Sequence, residues 1–383
     1  MSERSKASIR SRGRGRLAGL GGALLLVMAV ATACGTSNDS KNTLTTTSLT
    51  PGSGASTTNS SPGTVSKPGT LEGFSSPESV LFTSDRWFVS NVGPKVEPTA
   101  KDGDGFLTEL NSVGTLTARK AMPRAGDPPL NAPKGMAHTD NRVFVADIDR
   151  VVGYDIDTHG QVFEAPLGGD EPALLNDMAL LDPRTLLVSD TMRGIVYRLD
   201  LETKKFEPLA SGIPGANGVA VDSGGKIAYV VGTGADFSGG DLWKLDLSQN
   251  PVVPQRIGTL HGVFDGLAIL SNGNLVISDW ISSQGTNPGT VTVYRPDGSE
   301  VAKVTLPDNL HGPADFTVDP AGRNLWIPAL PDNRVVIVPL PSGTTGTSVS
   351  LTAPSTPASV TVTSPAVPSI TTPGPSPAPA TTP

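Results

Sequence analysis

One pattern recurs six times between Leu71 and Leu340, and a recurrence of that length leaves few folds open. Each copy opens on a polar residue ahead of an apolar pair, passes through a turn, and continues into an apolar run that often ends in Asp or Asn. The openings are Glu78-Ser79-Val80-Leu81, Lys134-Gly135-Met136-Ala137, Asn176-Asp177-Met178-Ala179, Asn217-Gly218-Val219-Ala220, Asp265-Gly266-Leu267-Ala268 and Ala314-Asp315-Phe316-Thr317. Second runs follow at nearly fixed distance, such as Trp87-Phe88-Val89-Ser90, Leu186-Leu187-Val188-Ser189 and Leu275-Val276-Ile277-Ser278. Third runs include Val151-Val152-Gly153-Tyr154 and Val335-Val336-Ile337-Val338. Short strands repeating every roughly 40–55 residues are the mark of a propeller blade, and six such units close a ring. In that ring the openings are the innermost strands, so their polar residues converge on one channel.

The fold class that follows is all-β, a six-bladed β-propeller over 71–340. Outside the N-terminal leader no stretch keeps apolar residues at helical spacing for three turns. The apolar runs are fenced instead by turn dipeptides, among them Asp102-Gly103, Asn272-Gly273 and Asp297-Gly298. An α/β barrel would need helices between the strands. The last blade lacks an outer strand of its own, because the chain turns into low complexity after Leu340. A segment near Leu71-Glu72-Gly73-Phe74 is expected to supply it, with Ser348 to Thr352 as the alternative donor. Long connections at Gly93–Asp104, Thr233–Gly240 and Ser282–Gly289 should shape a binding face.

The flanks read differently. Arg4, Lys6, Arg10, Arg12, Arg14 and Arg16 precede an apolar, small-residue run from Leu17 to Ala33, which reads as a signal peptide over 1–33. Ala31-Thr32-Ala33-Cys34 resembles a bacterial lipoprotein box, which makes Cys34 the lipidation site and the membrane a partner; an uncleaved anchor is the alternative. Residues 34–70 read as a Ser/Thr-rich linker and 341–383 as a Pro/Thr/Ser-rich tail that could meet the cell wall or carry sugars. Neither buries enough apolar surface to offset its ordering entropy, so both are expected to be disordered. The expected location is extracytoplasmic. The leader holds six of the 29 basic residues and one of the 36 acidic ones, which leaves 23 against 35, or −12, for the rest. An acidic body without a basic cluster argues against nucleic acid as a partner.

Lining up the openings brings Glu78, Lys134, Asn176, Asp177, Asn217, Asp265 and Asp315 near the axis. Carboxylates and amides without cysteine form a hard-oxygen set suited to Ca²⁺, with Mn²⁺, Mg²⁺ or Zn²⁺ as further possibilities. Pro77-Glu78-Ser79, Asn176-Asp177, Asn217-Gly218, Asp265-Gly266 and the following Asn272-Gly273-Asn274-Leu275 resemble the SMP-30/gluconolactonase superfamily, related to the paraoxonases. The resemblance spans about Ser75 to Leu340. It implies a divalent metal held by Glu78, Asn217 and Asp265, with Asn176 at the metal or substrate and Asp265 also acting on the attacking water. It therefore implies a metal-dependent lactonase or esterase acting on a small molecule. Sugar-lactone members commonly carry an Arg just before the blade-3 Asn-Asp. Leu174-Leu175 stand there instead, which points to a more apolar substrate.

Lys134 reads either as a structural cation that neutralises Asp177 or Asp315, or as a substrate-facing one. His261 and His311 each stand just before an opening, which puts them on the rim within reach of a substrate; the competing reading is an exposed loop histidine. Asp102-Gly103-Asp104-Gly105 begins like a calcium loop, but Val113 stands where the closing Glu belongs, so it reads as a turn. No Gly-x-Ser-x-Gly nucleophile, zinc His pair or phosphate loop is present. The competing function is a non-catalytic propeller that binds a peptide, glycan or cell-wall component. Lys134 salt bridges closing the channel would favour it.

Overall fold

A computed structural model describes residues 68–344. The leader, Cys34 and most of the linker and tail, with Ser348 to Thr352, lie outside the described residues. Six four-stranded antiparallel sheets follow one another in chain order, and no helix occurs among the described residues. The chain therefore folds as a six-bladed β-propeller. The inner strands are Pro77–Phe82, Pro133–Thr139, Leu175–Asp182, Ala216–Val221, Phe264–Ile269 and Thr317–Val318.

The ring closes where the repeat pattern required a donor. The strand Gly69–Glu72 pairs with Arg334–Pro339 and becomes the outer strand of blade 6, starting two residues before Leu71. The first and last strands of the described residues thus share one sheet, and a stacked pair, Trp87 on Trp326 at 3.9 Å, packs between blades 1 and 6. Alternating residues of neighbouring sheets fill the space between blades. One such layer joins Phe144, Val151, Leu175, Met178 and Leu186; another joins Val276, Val293, Phe316, Leu325 and Val336.

One local device sets the position of everything near the axis. In blade 1, Pro77 pairs with Asn91 and Val80 with Val89, so the inner strand carries one residue more than its partner. The same bulge recurs between Pro133 and Met136, Leu175 and Met178, Ala216 and Val219, and Phe264 and Leu267. Blade 6 repeats it, since Pro313 faces Ala329 and Thr317 faces Trp326. A bulge bends the strand and re-aims the extra side chain. The two residues inside each bulge are the first two of each opening.

A bulge also leaves ladder groups unpaired, and the second strands supply the replacements. Ser90, Ser189 and Ser278 accept with their hydroxyl oxygens from the N–H of Ser79, Asp177 and Gly266 at 2.9, 2.9 and 2.7 Å. The acid that ends a second strand serves the incoming loop. Asp147 Oδ1 accepts from the N–H of Asn131 and Ala132, and Asp279 Oδ1 from those of Val263 and Ile281. The recurrent Ser-Asp ending is thus the repeat's own hydrogen-bond supply.

Candidate functional site

The first bulge residues are Glu78, Lys134, Asn176, Asn217, Asp265 and Ala314; the second are Ser79, Gly135, Asp177, Gly218, Gly266 and Asp315. The first five of the former set all line one cavity of about 100 Å³ at the end of the channel, several times what a single water needs. Its walls are apolar: Val92, Val96, Pro98, Leu174, Phe237, Val263, Trp280 and Leu330. Val96, Pro98 and Phe237 come from two of the long connections that the sequence placed on one face.

The second bulge residues do something else. Asp177 accepts from Met178 N at 2.6 Å and, with its other oxygen, from Val219 N of the next blade at 2.7 Å. Asp315 Oδ2 accepts from Ser79 Oγ at 2.5 Å, which ties blade 6 to blade 1. Neither carboxylate lines the cavity. Their sequence-stated role in contacting substrate gives way to one of bonding blade to blade, because the second bulge position faces the neighbouring inner strand. The glycines of that position confirm the direction. A Cβ on Gly218 would lie 2.3 Å from Asp265 O, and one on Gly135 2.6 Å from Asn176 O.

Three cavity oxygens are buried without a hydrogen-bond partner: Glu78 Oε2, Asn217 Oδ1 and Asp265 Oδ1. The Asn217 amide is oriented by its Nδ2, which donates to Phe264 O at 3.4 Å and leaves the oxygen for the cavity. Buried polar atoms without partners are rare and costly. Here they are two carboxylates and an amide from three strands, a donor set that suits a hard dication. No group of three His, Cys, Asp or Glu with metal-holding placement occurs among the described residues, in keeping with an amide as third donor. Asn176 stands beside them, its Nδ2 donating to Thr191 Oγ1 at 3.1 Å.

The electrostatics show what the floor lacks. Burial, then Asp265 and Asp315, holds the Glu78 carboxyl well above its usual range. Burial and Asp315 push Asp265 up to about 7, against the opposing pull of the Trp280 indole, the Asn217 amide and Lys134. Asp315 is likewise raised by burial to about 7. Like charges at close range, taken out of water, resist ionising together unless a cation joins them.

Lys134 does not fill that need by direct pairing. It is 2% exposed, and its Nζ donates to Ala132 O and Pro98 O at 2.8 Å each. No carboxylate stands at ion-pair distance from it among the described residues, so the expected neutralisation of Asp177 or Asp315 is corrected. The ammonium fastens the blade-1 loop to blade 2 and keeps one of its three donors for the cavity. Burial lowers its pKa to about 8, with Glu78, Asp147 and Asp265 opposing.

The two rim histidines stand away from the cavity. His261 stands on the outer strand of blade 4 with Nδ1 3.0 Å from Asp241 Oδ1 of the third strand, and His311 Nδ1 lies 3.0 Å from Asp332 Oδ1. Each is turned toward its own carboxylate, and neither lines the cavity. Trp280 and Phe237, which do wall the cavity, were missed. Their only sequence signal is their place at or within long connections on the face where the openings begin.

A sequence model of the SMP-30/Gluconolactonase/LRE-like region matches residues 135–330 of the chain. No curated protein matches. Among solved structures, Hydrazine Synthase of Kuenenia stuttgartiensis is similar over 70% of this chain and 78% of that one, at 16% identity and a TM-score of 0.49. That likeness is too distant to bear on chemistry.

Proposed function

The chain belongs to the SMP-30/gluconolactonase/LRE-like family, and on that premise we propose that it hydrolyses lactones or related esters with an apolar body, using a divalent metal. The observation that carries this reading is the set of orphaned oxygens on Glu78, Asn217 and Asp265 at the floor of one apolar-walled cavity. Those three residues would hold the ion, which when bound polarises a substrate oxygen and stabilises the charge that develops there. Asp265 takes the proton of the attacking water as the water oxygen bonds to the carbonyl carbon. The C–O bond to the alkoxy group then breaks, and the proton passes to that leaving oxygen, giving an acid and an alcohol. Lys134 offers its third N–H to an oxygen of substrate or product. Asn176, anchored through its Nδ2, orients what binds beside it. Leu174, Val96, Phe237 and Leu330 exclude water and favour an apolar acyl or aryl part.

The test is calorimetric titration of purified protein with Ca²⁺, Mn²⁺, Mg²⁺ and Zn²⁺, followed by hydrolysis of dihydrocoumarin, phenyl acetate and gluconolactone. The expected result is binding of one ion, turnover abolished by chelator and restored by metal, and a higher kcat/KM for the aryl lactone than for the sugar lactone. Absence of both metal binding and turnover would sink the enzyme reading and leave a ligand-binding propeller.

We also propose display outside the membrane on a lipid at Cys34, supported by the basic and apolar leader that ends in Ala31-Thr32-Ala33-Cys34. Mass spectrometry of the mature N-terminus tests it. An unmodified terminus downstream of Cys34 would refute it.

A further inference from the structure

Trp280 is held more firmly than a wall residue needs to be. It follows Asp279, whose Oδ1 accepts from Val263 N at 3.0 Å and from Ile281 N at 2.8 Å. Its own N–H donates to Val263 O at 3.0 Å, so the backbone on both sides is fixed to one carboxylate and one strand. Ile281 adopts φ +64° to make this turn, a conformation that β-branched residues rarely accept. The six-membered end of the indole is wedged between two glycines of left-handed conformation. A Cβ on Gly285 would lie 3.3 Å from Cζ3, and one on Gly312 3.2 Å from Cη2. Any larger residue at either place would push the ring out of its seat.

The other end of the ring carries the one polar atom. Trp280 Nε1 is buried and completes no well-formed hydrogen bond, although it faces the Asp265 carboxylate closely enough to draw that group's pKa down. The indole lines the cavity beside Asp265, among Val92, Val263 and Leu330. A buried indole N–H ordinarily finds a partner. A rigid ring on the cavity wall, with an incompletely used donor beside Asp265, is a prearranged contact for an acceptor that arrives there from outside.

We propose that the Trp280 indole N–H donates a hydrogen bond to the carbonyl oxygen of the bound lactone or ester, with the carbonyl carbon set next to Asp265. This rests on the hydrolase reading. The contact selects a carbonyl compound whose apolar part lies against the same wall, and it strengthens as negative charge builds on that oxygen. The competing role is positioning alone, with the N–H reaching only the Asp265 carboxylate.

Trp280→Phe removes the donor and keeps an aromatic ring on the same wall, though not the outer end seated between the two glycines. Wild type and variant, both saturated with Ca²⁺, are titrated with 3,4-dihydroquinolin-2-one, the lactam that matches dihydrocoumarin but resists hydrolysis. The lactam should bind about tenfold more weakly to the variant, and kcat/KM for dihydrocoumarin should fall about 10- to 100-fold. Ca²⁺ affinity should stay near wild type, while the melting temperature falls modestly for the lost ring packing. A parallel loss of Ca²⁺ affinity, or unchanged lactam binding, overturns the proposal. The chain has four tryptophans, so the Trp280 indole N–H signal in a nitrogen-15 spectrum is identified by its loss in the variant. In wild type it should move downfield as the lactam binds; a stationary signal overturns the proposal even if the variant fails to fold. Lactam binding that depends on Trp280, without hydrolysis of any lactone, would remove the hydrolase reading and leave this contact standing. Failure of wild type to bind the lactam removes the contact.

Discussion

At the scale of single residues, the floor carboxylates are a cost that a bound ion would turn into a gain. Glu78 is buried among like charges, and its carboxyl is held well above the usual range by burial first and by Asp265 and Asp315 next. Glu78→Gln removes a charge that the metal-free protein cannot balance. It should therefore melt higher than wild type in chelator, yet lose most of the stabilisation that Ca²⁺ gives wild type. Thermal melts with and without Ca²⁺ decide this; a lower melting temperature in chelator would contradict it. Asp315 gives a pH dependence. Its folded pKa of about 7 stands above the roughly 4 of an exposed aspartate, so the folded state keeps a proton that the unfolded state releases. That contribution to stability is complete below the unfolded value, declines as pH rises, and is gone once pH passes the folded value. Chelator-treated protein should accordingly melt lower at pH 7.5 than at pH 5.5, and Asp315→Asn should flatten the slope. Equal slopes in the two proteins would place the titration elsewhere.

At the scale of elements, the bulged inner strand is the unit that makes the site. Its first residue points at the cavity, and its second packs on the neighbouring strand with almost no clearance. An alanine at Gly218 would bring Cβ within 2.3 Å of Asp265 O, and backbone yields less readily than a side-chain tip. Gly218→Ala should cost about 1–3 kcal/mol or more by overpacking. It should also weaken Ca²⁺ binding, because Asn217 and Asp265 stand on the two strands it forces apart. Gly224 is the control: its Cβ would meet only Asp222 Oδ2 at 3.4 Å, and an exposed change of this kind stays within about 0.5 kcal/mol. Urea unfolding of both variants, with calcium titration, is the measurement. Equal stability of the two would mean that the inner strands move apart freely.

At the scale of the whole molecule, a borrowed strand and an aromatic stack join the Ser79–Asp315 hydrogen bond in closing the ring. Residues Gly69–Glu72 pair with Arg334–Pro339, and Trp87 stacks on Trp326 between the first and last blades. Trp326 is fully buried, so Trp326→Ala should destabilise the ring by about 3–5 kcal/mol. Deleting the chain through Glu72 would expose the edge of Arg334–Pro339, and exposed edges pair with other chains. The truncated protein should melt lower and form oligomers on size-exclusion chromatography. A monomer of unchanged stability would show that blade 6 needs no outer strand.

The sequence by itself determined the number of blades and the order of strands, and it narrowed the closing strand to two donors and the axial residues to the six openings. These follow from local alternation and from a repeat that each blade states on its own, because hydrophobic pattern and turn chemistry act within a few residues. It also held, without making plain, the difference between the two bulge positions: Glu78 and Asp265 stand first in their openings, while Asp177 and Asp315 stand second. Only the tertiary structure decided what that difference means. The bulge sends one residue to the cavity and the other to the next blade, so Asp315 finds Ser79 across 236 residues of sequence. Lys134 likewise meets Pro98 rather than a carboxylate, because the blade-1 loop folds over it. Trp280 is seated by Gly285 of its own loop and by Gly312, ahead of the blade-6 opening. Such contacts join residues distant in sequence, and no local pattern encodes them. Closing the ring fixes which loops meet, and with them which polar groups are spent on the fold and which are left for a ligand.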